Sequence, residues 1–300
     1  MKAITLVTAT LLIAGAAQAQ KKNVTPGEIV AAAPADAWRA ISPDELLVMD
    51  LANGGRAIIQ LAPQFAPVHV ANIQALARSG YWTPANIYRV QDNYVTQWGL
   101  NDSEKPLPAG VVAKPPAEYT RALQGLSIKP LGYPDPYAPG AGFADGWPIA
   151  YSPSEGWANL AHCYASVGVG RDLSPDTGMG GELYTIIGHA TRHLDRNIAV
   201  VGRVIEGMDK LSALPRGTGP LGAYEDPKQY VPIASVRLAS EMPEAERPRF
   251  EYMNTGSPAF AEYLRVRANR KDDFYIRPAG GVDLCNVNVP VRRKPSGERG

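Results

Sequence analysis

Asn86-Ile87-Tyr88-Arg89-Val90-Gln91-Asp92-Asn93-Tyr94-Val95-Thr96-Gln97-Trp98-Gly99 reads as two short strands joined by a polar turn. Arg89 falls on an apolar–polar alternation, the Gln-Asp-Asn run makes the turn, and Tyr94, Val95 and Gln97 lie on the returning strand. Pairing of the two strands brings one guanidinium, one aromatic ring and one primary amide together. With no carboxylate among them, this trio suits reorganising an amide bond better than hydrolysing one.

Upstream of this hairpin, Leu46 to Ala52 and Arg56 to Ala62 flank Asn53-Gly54-Gly55, whose residues tolerate the positive φ of a tight turn, so a second hairpin is expected. Pro67 to Arg78 has proline in its first turn, Gly80 just past its end, and Val70, Ile73, Leu76 and Ala77 on one face, which predicts an amphipathic helix packed on a sheet. Downstream, Ala165 to Gly170, Leu183 to Gly188, Ile198 to Ile205 and Ile233 to Ala239 read as strands, with a short helix over Gly207 to Leu214. Strands outnumber helices and do not alternate regularly with them. A mainly β fold follows, an antiparallel sheet or barrel over residues 46–240.

Four segments fall outside that pattern. Residues 1–19 have one basic residue, an apolar run and Ala17-Gln18-Ala19 before Gln20, the form of a cleaved signal peptide, so an exported, periplasmic protein with no later membrane insertion is expected. Residues 20–45 are an Ala- and Pro-rich extension, with a turn of helix expected at Pro34 to Ile41. Residues 101–155 carry ten prolines and are expected to form a surface insertion without central strands, because proline removes a ladder donor. The tail, residues 241–300, is expected to hold a helix at Pro258 to Asn269 and a β-like piece at Gly281 to Val291. Cys163 and Cys285 permit one disulfide, which would close a loop worth about 4 to 5 kcal/mol in the chain-entropy model; two separate buried thiols are the other reading.

Four collinear blocks make the chain resemble a cyclophilin-type peptidyl-prolyl cis-trans isomerase. They are Ile59 to Pro63 running into Ala66 to Ile73, Ile87 to Val90 with Tyr94 to Gly99, Gly180 to Ile186, and His193 to Asp195 with Val201 to Asp209. The resemblance implies a closed eight-stranded antiparallel β-barrel capped by two helices, with an apolar groove on its outside and no cofactor. It implies a proline-containing unfolded or extended polypeptide as the partner. Arg89 matches the catalytic arginine of the family, Gln97 the glutamine that contacts the substrate backbone, and Tyr94 and Val95 the floor for the proline ring. Gly170 matches a small backbone-contact residue. The second pocket phenylalanine falls at Thr185, the tryptophan at His193 (beside Leu194), the histidine at Ile198, and the glutamine of a Gly-Ser-Gln-Phe-Phe strand at Leu183. These exchanges imply a weakened or retuned isomerase, with a peptide-binding module or chaperone as the alternative.

The formal net charge of +1 gives no reason to expect nucleic acid as a partner, and a monomer is expected. His189 and His193 have a spacing seen in metal pairs, but no glutamate follows His189 and the segment reads as a loop, so no metal is expected. His162-Cys163 reads as a strand edge, since nothing nearby in sequence orients a base.

Overall fold

The computed structural model describes residues 23–100 and 105–294; the expected signal peptide lies outside them. The strands are β1 (Trp38–Ala40), β2 (Leu46–Leu51), β3 (Arg56–Leu61), β4 (Ala85–Val90), β5 (Val95–Gly99), β6 (Arg121–Ala122), β7 (Ile128–Pro130) and β8 (Gly140–Ala144). There follow β9 (Trp147–Ser152), β10 (Trp157–Leu160), β11 (Ser166–Val169), β12 (Leu183–Ile186), β13 (Val200–Glu206), β14 (Val231–Leu238), β15 (Phe250–Met253) and β16 (Val291–Arg293). Among the described residues four α-helices accompany them: α1 (Pro26–Ala32), α2 (Pro67–Arg78), α3 (Met208–Ser212) and α4 (Pro258–Ala268).

Eight strands close into an antiparallel barrel in the order β11-β12-β5-β4-β14-β2-β3-β13. Its interior is filled by side chains from alternate strand positions, among them Leu47, Ile59, Ile87, Trp98, Val167 and Val236. The expected face of α2 supplies Val70, Ile73 and Leu76 to the same core and α3 adds Leu211, so the two helices cap the barrel. α2 starts at Pro67 with no capping side chain of its own. Glu118 performs that task from the insertion, accepting from Val68 N and His69 N at 2.9 Å each, where the helix dipole favours an anion.

The insertion departs from expectation. Instead of an irregular surface segment, it forms a five-stranded antiparallel sheet in the order β6-β10-β9-β8-β7, and Pro148 lies in the central strand β9. Proline is tolerated there because Pro148 stands opposite Phe143 near the β8–β9 turn and at the end of the β10 pairing, where only its carbonyl is used, accepting from Ala161 N at 3.1 Å. Asp145-Gly146 makes that turn with φ of 49° and 83°, the positive values a two-residue hairpin needs. One face of the sheet packs Trp147, Ile149 and Leu160 on Val200 of β13 and Phe65 of the β3–α2 connection. The other face packs Phe143 against Phe260 of α4.

Both terminal extensions are folded onto this second layer. The N-terminal helix is α1, opened by a capping box between Thr25 and Glu28, while Pro34 to Ile41 is one 3₁₀ turn leading into β1. The tail helix forms as expected, and Gly281 to Val291 contains a 3₁₀ turn (Leu284–Asn286) before β16. β1, β15 and β16 form a third sheet. Cys163 and Cys285 are joined in a disulfide that fastens the tail to the segment before β11. Among the described residues no helix is long and apolar enough to cross a membrane.

Candidate active site

The register of β4 against β5 shifts between Ile87 and Arg89, the signature of a β-bulge. Ile87 and Val90 face the core, and the extra residue lets both Tyr88 and Arg89 leave the barrel on its outer side. On β5 the period of two sends Thr96 and Trp98 inward and Val95 and Gln97 outward.

Arg89 and Gln97 meet there, Nη1 donating to Oε1 at 2.9 Å. The guanidinium is held on two further sides, by Nε to the Leu221 carbonyl at 2.7 Å and Nη2 to Gln91 Oε1 at 2.5 Å. It lies 5.7 Å from the centroid of the Tyr94 ring. Burial lowers the Arg89 pKa while Tyr94 and Tyr88 oppose the shift, and an arginine so placed stays charged.

Next to this pair is an apolar cluster outside the barrel, in which Val95, Tyr184 and Ile186 are buried and Tyr94, Leu194 and Ile198 pack around them. His193 stacks on Tyr94, with centroids 6.5 Å apart and planes 11° from parallel. Gly170 sits beside Gln97: a Cβ there would be 3.5 Å from Gln97 Nε2. Arg89, Gln97, Tyr94, Val95, Gly170, His193, Leu194 and Ile198 are therefore brought together.

Thr185 is not. It pairs with Thr96, is fully buried, and its hydroxyl is directed to the sulfur of Met208 under α3. Tyr184 takes the outer position instead, opposite Gln97, and Leu183 joins the barrel core. The expected alignment was displaced by one residue. Gly180-Gly181-Glu182-Leu183-Tyr184 sets against Gly-Ser-Gln-Phe-Phe without a gap, putting Tyr184 at the second phenylalanine and Glu182 at the glutamine. A one-residue slip in a strand exchanges its two faces, so the register puts the Tyr184 ring in the outer cluster and Thr185 inside the barrel.

Besides Tyr184 and Ile186 of the outer cluster, the site contains Tyr88 and Glu182, which the sequence pattern did not single out. The Tyr88 hydroxyl donates to Glu182 Oε2 at 2.5 Å and accepts from Gln97 Nε2 at 2.6 Å. A Cβ at Gly99 would overlap the Glu182 carboxylate, so glycine there lets that side chain lie across β5. A carboxyl group thus stands two hydrogen bonds from Gln97, supplied by β12 and not by the hairpin. Burial pushes its pKa up to about 7, against hydrogen bonds from Tyr88 and Gln97 that pull it down. The ungapped alignment of Gly180 to Tyr184 was the signal that could have found Glu182; Tyr88 needed the bulge.

Behind the cluster, the Tyr184 hydroxyl is 3.2 Å from His162 Nε2, and His162 Nδ1 is 3.0 Å from Asp195. Histidine 162 is thus a buried support for the pocket wall, oriented by a carboxylate distant in sequence. Among the described residues no group of three or more histidine, cysteine or acidic side chains is arranged to hold a metal ion.

A closed eight-stranded barrel with an arginine–glutamine pair beside an outer apolar cluster defines a cyclophilin-like protein. The family model described as cyclophilin type peptidyl-prolyl cis-trans isomerase/CLD matches residues 46–238, and the chain belongs to that family of isomerases. Two curated relatives, each named a probable peptidyl-prolyl cis-trans isomerase, come from Brucella suis biovar 1 (strain 1330) and Brucella melitensis biotype 1. Both are 23% identical over 196 residues, covering 64% of this chain and 83% of theirs. The crystal structure of cyclophilin AquaCyp293 from Hirschia baltica matches with a TM-score of 0.66 at 23% identity, over 92% of this chain and 100% of that one. At that coverage the likeness of fold extends beyond the barrel into the added layers.

Proposed function

We propose that this isomerase accelerates rotation about Xaa-Pro bonds in exported polypeptides, with the outer cluster as the proline subsite. The observation that carries the reading is the Arg89 Nη1 to Gln97 Oε1 contact of 2.9 Å at the edge of that cluster. Unaided, such a rotation takes tens to hundreds of seconds, because delocalisation of the nitrogen lone pair holds the amide planar. A proline ring seated on Val95, Tyr184 and Ile186, between Tyr94 and Leu194, brings its nitrogen to the guanidinium. Three of the five N–H groups of Arg89 are held by Leu221, Gln97 and Gln91, which fixes the fork and leaves two to donate. A donor aimed at the imide nitrogen localises the lone pair as the bond twists and stabilises the twisted state more than the planar one. Gln97 Nε2 has a second N–H for the peptide carbonyl.

Export to the periplasm is inferred from the form of residues 1–19, and sequencing the N-terminus of the protein recovered from an osmotic-shock fraction tests it. The catalytic reading is tested by following cis–trans exchange of a short Xaa-Pro peptide by NMR. Arg89→Ala is expected to lower kcat/KM on the order of 100-fold, the usual cost of removing one preorganised donor. An unchanged rate in that variant removes the assignment. Suppression of client aggregation that survives Arg89→Ala while isomerisation is lost would favour the chaperone reading.

A further inference from the structure

Around the barrel from the Arg89 hairpin, on the outer side of β11 and β13, lies a cavity of about 640 Å³. The insertion sheet, α1 and the tail segment 285–291 wall it in, with Val30, Leu160, Ile205, Val287 and Val289 among its apolar surfaces. Its size is that of an ordinary small-molecule site. One side chain of the lining is charged, Arg203.

Arg203 stands opposite Gln60 on the neighbouring strand, and its Nε and Nη2 donate to Gln60 Oε1 at 3.1 and 2.8 Å. Nη1 donates to the Gly146 carbonyl at 2.8 Å, and the guanidinium lies 4.5 Å from the Trp147 ring centroid. As a brace between barrel and insertion these contacts account for three N–H groups. Among the described residues they leave two N–H groups without an acceptor and the charge without a counter-ion. Burial lowers the Arg203 pKa to about 10, and the opposing influence is the Tyr252 phenol, not a carboxylate. A half-buried cation solvated by neutral acceptors alone keeps its full charge, so an anion arriving in the cavity gains a charge-assisted contact.

We propose that this cavity is a binding site for a long-chain fatty acid, its carboxylate on Arg203 and its chain along the valines of the tail and α1. One guanidinium matches one negative charge, whereas a phosphate head group would leave excess charge among apolar walls. A polypeptide end, though it too carries one carboxylate, is disfavoured by its backbone. Its backbone N–H and C=O groups would find few partners beyond Ser166, Asn288 and the tyrosines of the lining. The site is separate from the Arg89–Gln97 pair and does not depend on the isomerase reading.

The test is calorimetric titration of the purified protein with palmitate, and with hexadecanol as the neutral analogue of equal length. Palmitate is expected to bind at one site, at least tenfold tighter than hexadecanol, and Arg203→Met to remove that preference. Because Arg203 also braces the insertion, Ala31→Trp serves as the second variant. Ala31 is exposed on α1 and borders the cavity, so the indole occludes it without touching Arg203. Ala31→Trp is expected to weaken palmitate at least tenfold while the near-UV circular dichroism stays that of a folded protein. Absence of palmitate binding, equal binding of the alcohol, or wild-type affinity in the Ala31→Trp protein overturns the proposal.

Discussion

Asp135 and Arg192 stand 57 positions apart and meet in a buried two-pronged ion pair, Nη1 to Oδ2 at 2.8 Å and Nη2 to Oδ1 at 3.0 Å. The Nε of the same guanidinium reaches Asp195 at 2.6 Å, and Asp195 in turn accepts from His162 N at 2.9 Å. His162 touches Tyr184, and the residues following Arg192 are His193 and Leu194 of the outer cluster. The insertion therefore holds the outer apolar cluster from behind. Breaking one side of a buried charge network is expensive because the partner charges stay buried. Asp135→Ala is expected to cost about 3 kcal/mol by urea denaturation and to lower kcat/KM through a loosened 192–198 loop. A variant as stable as wild type would show that the pair is dispensable.

The position of Glu182 makes the site sensitive to pH near neutrality. Burial raises its folded-state pKa to about 7 from the ordinary 4.5, so the folded state binds this proton more tightly than the unfolded one. The associated stability is fully present below about pH 4.5 and is lost as pH rises through about 7. Over the same range the carboxyl changes from a group able to donate to one that only accepts, and Tyr88 and Gln97 must adjust. An inflection in kcat/KM near pH 7 is expected in wild type and its disappearance in Glu182→Gln, with both profiles measured at constant ionic strength.

Tyr184 and Thr185 differ by one position and by a whole face of the sheet. Tyr184→Ala strips the floor of the outer cluster and is expected to raise KM for a proline peptide by roughly tenfold, the effect of losing about 1 to 2 kcal/mol of apolar contact. Thr185→Val stays inside the barrel and is expected to leave KM near wild type. The reverse order in steady-state kinetics would place the substrate elsewhere.

The disulfide between Cys163 and Cys285 spans 122 residues and closes the tail over the added layers. The double replacement Cys163→Ser, Cys285→Ser is expected to lower stability by about 4 to 5 kcal/mol on the chain-entropy account. Reductant should then shift the unfolding midpoint of wild type and leave that of the double variant unmoved.

The sequence by itself determined the parts whose signals are local. Asn53-Gly54-Gly55 fixed a hairpin, Pro67 and Gly80 bounded α2, and alternation around Arg89 and Gln97 set their strands side by side, enough to reveal the family. What only the tertiary structure decided is which residues face which way and what distant segments touch. The bulge that turns Tyr88 outward, the register that gives Tyr184 the pocket and Thr185 the core, and the Glu182 carboxyl beside Gln97 all depend on the partner strand. The proline-rich insertion became a sheet because Phe65, Val200 and Phe260, far away in sequence, offered apolar surfaces for its two faces. Local alternation sets a strand's period, but the face that is buried is chosen by the neighbour it pairs with, and that neighbour is selected in three dimensions.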